Sequence, residues 1–202
     1  MTTVSDTDTI FKRLHAELPI FTMDNFLDKN TCERLINYMD EMKPTHVFHT
    51  EELTLFNEME IIQDMNTRLH SIFRIPYEYS SAIYVKKYPI GGYMEPHYDL
   101  LNPGNPDHRK TLERCGQTPI SIIIYLNDVI DGGETHFIYP DIKVKPERGK
   151  LLMWYNLDEN GMPYAEMKHG CLRVNSNPKY ILTKFFTEYA NSFEITSSKR
   201  VY

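Results

Sequence analysis

From residue 80 onward the chain alternates between apolar and polar positions in short runs: "SSAIYVKKY", "PISIIIYLND", "ETHFIYP", "IKVKPERGKLLMWYNL", "MKHGCLRV" and "KYILTKFFTE". These runs are rich in β-branched and aromatic residues and are bounded by Gly, Pro, Asn and Asp, so they predict strands. Before them the period is helical. Cys32, Leu35, Ile36, Met39 and Met42 share one face of a helix expected over about 31–42, entered at Asn30 with Glu33 three residues later as a loose capping box. Met59, Ile62, Met65, Leu69, Ile72 and Phe73 mark a second helix over roughly 57–73, stopped by Pro76. The Met and aromatic positions of both helices read as core packing. Residues 1–20 lack clear periodicity, and "PIFTMDNFL", closed by "DKN", is the first strand signal. Two helices followed by a run of strands imply a mainly β fold, a sandwich or barrel backed by helices. The one long gap between strands, "LLNPGNPDHRKTLERCGQT" at 101–119, reads as a functional loop.

A chain of 202 residues without a linker or repeat suggests a single domain over 1–202, with its core at about 80–189 and peripheral segments at 1–19 and 190–202. The net charge of −6 and the lack of a basic stripe argue against a nucleic-acid partner. No stretch reaches about 18 apolar residues and the first residues are polar, so no membrane partner is expected and the reading is a soluble, cytoplasmic protein. Cys32, Cys115 and Cys171 are widely spaced and lack a C-x-x-C pair, which suits reduced thiols rather than disulfides or a thiolate zinc site.

Chemistry enters with "GGYMEPHYD" at 91–99. On a strand, positions i and i+2 share a face roughly 6.5 Å apart, so His97 and Asp99 can converge on one ion. A further histidine would complete a set of two imidazoles and one carboxylate, which leaves three octahedral positions open as in non-haem Fe(II) oxygenases. His15, His46, His49, His70 and His108 lie in helical, loop or N-terminal contexts and read as surface or packing residues. His136, in "GGETHF", sits on a strand beside a turn and is a lesser candidate. His169, in "MKHGC", is favoured because Lys179 follows ten residues later and opens a strand in which Lys179, Ile181, Thr183 and Phe185 share a face. A buried lysine needs an anion, and a dicarboxylate that chelates the metal with one end offers it the other. The alternative is a surface lysine whose stem lies along the sheet.

In "KKYPIGGYMEPHYD", "IIIYLNDVIDGGETHF", "KPERGKLLMWYNL" and "HGCLRVNSNPKYILTKFF" the chain resembles the Fe(II)/2-oxoglutarate-dependent dioxygenases, most closely the prolyl 4-hydroxylase-like branch, over about residues 20–190. The resemblance implies a double-stranded β-helix, a jelly-roll of the cupin type, with Fe(II) held by His97, Asp99 and His169 as catalytic ligands. Lys179 would pair with the distal carboxylate of 2-oxoglutarate, Tyr88 and Tyr125 would contact this cosubstrate, and Thr183 is a further contact by alternation. O2 would be the oxidant and ascorbate a possible reductant. Oxidative decarboxylation to succinate and CO2 would accompany hydroxylation of an unactivated C–H in a protein or peptide substrate containing proline. "GG" at 132–133 resembles a tight turn set by backbone geometry.

The departures fall on the substrate side. Thr118 stands where prolyl hydroxylases carry Arg, Thr187 where they carry His and Phe185 where they carry Trp. Arg109, Lys110 and Arg114 in the 101–119 loop are candidates to replace the missing cation over a bound peptide. The competing readings are a hydroxylase of another residue or of a free amino acid, and a catalytically silent jelly-roll used for binding. A zinc hydrolase leaves Lys179 and the strand tyrosines unexplained, and the demethylases of the superfamily do not suit the acidic balance.

Overall fold

The first helix begins at a different cap from the one the sequence suggests. Asp28, rather than Asn30, accepts from the Thr31 backbone N–H (2.8 Å) and hydroxyl (2.9 Å) and so closes the first turn. The described residues of this computed structural model are 10–42, 44–47, 49–55 and 59–190. Among them the chain order is β1 (Lys12–Arg13), β2 (Ile20–Met23), α1 (Lys29–Glu41), β3 (Thr45–Val47), β4 (Thr50–Leu55), α2 (Glu60–Phe73), β5 (Ile83–Tyr88), β6 (Met94–His97), α3 (Pro106–Cys115), β7 (Ile120–Tyr125), β8 (Thr135–Phe137), β9 (Ile142–Val144), β10 (Leu151–Tyr155), β11 (His169–Cys171) and β12 (Lys179–Phe186).

Three elements correct the sequence reading. The helix expected from 57 begins at Glu60, residues 56–58 lying outside the described set, and it ends at Arg74, which takes the left-handed conformation at φ 54°. The β3–β4 hairpin lies between the two helices, where no strand was expected. Its alternation is hidden because Glu51 and Glu52 face Lys87 and Lys86 across the β4–β5 ladder, with Lys86 Nζ 2.9 Å from Glu52. Residues 101–119 are not one loop, since α3 occupies their middle. Asn105 caps it, Pro106 opens it and Gly116 at φ 72° ends it, but only Cys115 is buried, so no apolar stripe announces this helix.

The strands form two antiparallel sheets, one ordered β1-β2-β10-β7-β12-β5-β4-β3 and the other β6-β11-β8-β9. Together they make the expected jelly-roll. β12 lies between β7 and β5 in the large sheet and is buried on both faces because both are covered. Its Leu182 and Phe186 face outward with Ile122 and Ile124 of β7 and pack against Leu35 and Met39 of α1 and Ile62 and Leu69 of α2. Ile181, with Ile123, Leu152, Trp154 and Phe137, fills the space between the sheets. The helices therefore support the back of the large sheet and leave its front free to face the small one.

Two glycines set close approaches. Gly132 has φ 76°, and a Cβ there would lie 2.0 Å from the Arg173 carbonyl. Gly170 has ordinary backbone angles, but its Cβ would lie 2.6 Å from the Met94 carbonyl, where β6 and β11 pair. Gly170→Ala should destabilise the protein by about 1–3 kcal/mol, the usual cost of overpacking, read as a lower midpoint in urea unfolding.

Candidate metal centre

β6 and β11 are antiparallel neighbours, and their register places His97 directly opposite His169. The ladder is irregular between His169 and Cys171, and Asp99 follows in the turn just past β6. His97 Nδ1 lies 2.8 Å from the Glu95 carbonyl and His169 Nδ1 lies 2.9 Å from the Met167 carbonyl. A carbonyl can only accept, so each Nδ1 carries a proton, and Nε2 is the nitrogen whose lone pair is available whenever the ring is neutral. Both Nε2 atoms face Asp99, at 3.4 Å from Oδ1 and 3.7 Å from Oδ2. One ligand atom from each of the three residues lies within 4.8 Å of the others. Two imidazoles and a carboxylate in this arrangement suit a dipositive transition metal. Among the described residues this is the one such cluster of three.

The electrostatics suit a cation between these groups. Burial alone would raise Asp99, but the charges of His169 and His97 and hydrogen bonds from His97 and Ser121 bring its carboxyl down to about 2. Burial favours neutral His97, yet the hydrogen bond and charge of Asp99 prevail and hold this imidazole above its ordinary value. His169 is buried, and desolvation keeps it below that value despite Asp99. Burial thus holds the deeper imidazole toward its neutral form. Trp154 packs edge-on against its ring at 4.6 Å and Phe137 lies at 5.5 Å, so one side of the site is dry.

His97, Asp99 and His169 line one cleft with Lys179, Tyr88 and Thr183. Lys179 is 1% exposed and lies opposite Tyr88 in the β5–β12 ladder. Its ammonium donates to Cys171 Sγ at 3.1 Å and lies 5.0 Å from the Tyr88 ring and 5.5 Å from that of Tyr125. Among the described residues no carboxylate lies within ion-pair distance of it, so a buried cation faces the cleft with only a thiol and two aromatic rings around it. The Cys171 thiol itself points to the Leu172 carbonyl at 3.4 Å. Cys171 lies two residues beyond His169 on β11, so the ammonium sits beside the strand that carries one member of the His-Asp-His cluster. This fits a short diacid held at both ends.

Tyr125 differs from expectation. It does not line the cleft, because its fully buried hydroxyl donates to Thr135 at 2.7 Å, and Thr135 takes the lining position. Thr183 does line the cleft, its hydroxyl 3.5 Å from the Tyr84 carbonyl. Burial pushes the phenols of Tyr88 and Tyr125 up, so both stay protonated. His136 is not in the cluster and pairs with Asp141 at 2.8 Å. Arg109, Lys110 and Arg114 do not line the cleft, and the Arg109 guanidinium reaches the Pro103 carbonyl at 3.4 Å. Sequence reasoning missed Trp154, Ser121, Lys86 and Cys171. Trp154 and Ser121 could be found from alternation, since each lies on the inward phase of its strand. The cleft measures about 60 Å³, whereas a cleft between α1 and α2 measures about 700 Å³ but holds no such ligand set.

A profile of the 2OG-Fe(II) oxygenase superfamily matches residues 83–187, about half of the chain. The chain belongs to this superfamily. Its cofactors are therefore Fe(II) and 2-oxoglutarate, and the donor set and the uncompensated Lys179 are suited to them. Prolyl 4-hydroxylase subunit alpha-3 of Homo sapiens is 33% identical over 116 residues, covering 57% of this chain and 21% of that protein. Prolyl 4-hydroxylase subunit alpha-1 of Gallus gallus is 28% identical over 136 residues, covering 67% of this chain and 26% of that protein. The chain thus spans only a fifth to a quarter of the length of these relatives. Among solved structures, the 2OG complex of the viral collagen prolyl hydroxylase from Paramecium Bursaria Chlorella virus-1 has a TM-score of 0.71 at 22% identity, covering 87% of this chain and 98% of that one. A Pseudomonas putida prolyl-4-hydroxylase has a TM-score of 0.62 at 15% identity, covering 90% and 96%. No helix among the described residues is long and apolar enough to cross a membrane.

Anaerobic Fe(II) at about 100 times its Kd should stabilise the protein by about 2.7 kcal/mol, visible as a rise in Tm. His97→Ala should abolish the rise, and His136→Ala should leave it intact.

Proposed function

We propose that this chain hydroxylates an unactivated C–H of peptidyl-proline, with Fe(II) held by His97, Asp99 and His169 and the distal carboxylate of 2-oxoglutarate held by Lys179. The observation that carries the reading is the pairing, in one cleft, of a His-Asp-His cluster with a fully buried lysine that no carboxylate of the described residues neutralises. When bound, Fe(II) supplies O2 activation coupled to decarboxylation of 2-oxoglutarate, one oxygen atom entering succinate and the other the substrate.

The chain's own residues bind, orient and exclude water. Asp99 and the two Nε2 lone pairs are presented together because the Nδ1 protons are held by backbone carbonyls. Lys179 selects a diacid over a monoacid by charge, and Tyr88 forms part of the wall around its head. Tyr125 acts through Thr135 rather than by direct contact. Trp154 and Phe137 keep solvent from His169.

Similarity to prolyl 4-hydroxylases supports proline as the target. One observation favours a second reading, hydroxylation of another residue or of a free amino acid. Thr118, at the place of the arginine, is buried and offers no cation, while Lys86, ion-paired to Glu52, is the other lysine lining the cleft.

Lys179→Ala should weaken 2-oxoglutarate binding by roughly 3–5 kcal/mol, measured by anaerobic titration of the Fe(II)·2-oxoglutarate charge-transfer band. The substrate is tested by mass spectrometry for products about 16 Da heavier. Proline-rich peptides should gain this mass only with Fe(II), 2-oxoglutarate and O2, and not with His97→Ala. Modification of free amino acids alone would replace proline by the second reading.

A further inference from the structure

Behind the metal ligands, one buried amide touches the supports of two of them. Asn156 immediately follows β10 and is 2% exposed. Its Oδ1 accepts from the Trp154 indole N–H at 3.0 Å, and its Nδ2 donates to the Thr118 carbonyl at 2.9 Å and to Ser121 Oγ at 2.8 Å. With its oxygen accepting from Asn156, Ser121 has its proton left to give, and it lines the same cleft as the Asp99 carboxylate. The other arm is the Trp154 ring, whose T-shaped contact with His169 fixes the face of that imidazole.

The amide cannot turn over to an equally good arrangement. A flipped Asn156 would set its oxygen against the Thr118 carbonyl and its NH2 against the indole N–H, losing both of those hydrogen bonds in a buried place. Its backbone is fixed as well: its N–H donates to the Pro119 carbonyl at 2.8 Å, and its carbonyl accepts from the Tyr164 N–H at 3.0 Å. A rigid donor therefore sets the direction of the Ser121 hydroxyl, and a rigid acceptor sets the tilt of Trp154.

We propose that Asn156 is a positioning residue of the metal centre, aiming Asp99 through Ser121 and His169 through Trp154. The inference rests on His97, Asp99 and His169 being the ligand set. It goes beyond that set because Asn156 itself does not line the cleft. A purely structural amide would stitch β10 to the residues before β7 and contribute to stability alone. A positioning amide also sets metal affinity, which falls about 10- to 100-fold when such a support is removed.

The test is an anaerobic Co(II) titration read by visible absorption, with Tm measured on each protein. Asn156→Ala and Ser121→Ala should each weaken Co(II) binding about 10- to 100-fold, while Ser121→Thr, which keeps the hydroxyl, should stay near the parent affinity. The double variant Asn156→Ala/Ser121→Ala should bind much as Asn156→Ala does, because the two share one path. Trp154→Phe, which keeps a ring beside His169 but removes the N–H, should weaken binding by less than Asn156→Ala. If Asn156→Ala does not fold, the Ser121 pair and Trp154→Phe decide the matter. A parent protein that binds no Co(II) overturns the ligand set itself. A parent that binds it while Ser121→Ala stays within twofold, or while Ser121→Thr loses as much as Ser121→Ala, overturns the positioning role and leaves the ligand set standing.

Discussion

The pairing of β6 with β11 is the constraint on which the site depends. It places His97 opposite His169 and allows the carboxylate of Asp99 to reach both imidazoles. A shift of one residue in this ladder would turn one of the histidines to the other face. The register is held from outside the pair: β11 is also hydrogen-bonded to β8, where His169 faces Phe137, and Gly170 leaves room for the Met94 carbonyl. The position of the ligands is thus a property of the small sheet, while the lysine that completes the cleft comes from the large one.

That division explains why two separate cores are needed. The apolar space between the sheets fixes their separation and therefore the distance between the ligand set and Lys179. The helices on the back of the large sheet contribute nothing to the cleft directly, but they cover the outward faces of β7 and β12. Without that cover Leu182 and Phe186 would be exposed, and the strand that carries Lys179 would lack its rigid support. The Asp40 carboxylate at the end of α1 adds a polar tie, accepting from the Tyr180 hydroxyl and from Lys87 on adjacent strands of the large sheet.

Strand alternation made part of the candidate site legible: Lys179 and Thr183 share a face of β12 as their numbers require, whereas Asp99 lies past the end of β6 and reaches the two histidines from the turn rather than by alternation. The spacing to His169 gained meaning only together with Lys179, since His136 also lies on a strand and is excluded by three-dimensional position, paired with Asp141 instead. Elements without an apolar stripe were hidden. The β4 strand is stabilised by charged cross-strand pairs and α3 by its caps, and neither leaves a hydrophobic period to read. Tyr125 was expected at the cosubstrate from resemblance, but its hydroxyl is taken up by Thr135 instead. Alternation tells which way a side chain points, and only packing tells whether Thr135 stands in front of it.

Lys179 and Lys184, on the same strand, show what alternation leaves open. Both are almost completely buried, at 1% and 2% exposure, so burial alone does not mark a ligand site. They point to opposite faces because they are five residues apart. Lys184, on the helix side, donates a hydrogen bond to the Ser81 carbonyl at 2.7 Å and lies 5.4 Å from the Tyr77 ring. It is anchored by backbone dipoles and serves the fold. Among the described residues the hydrogen-bond acceptor that Lys179 meets is a thiol, a weak one, in a cleft that also holds a carboxylate and two imidazoles. A cation left so poorly solvated is costly unless an anion enters, and the free energy that folding loses there is recovered when the anion binds. The contrast between the two lysines, rather than the presence of either, is what points to a carboxylate ligand at the inner end of the cleft.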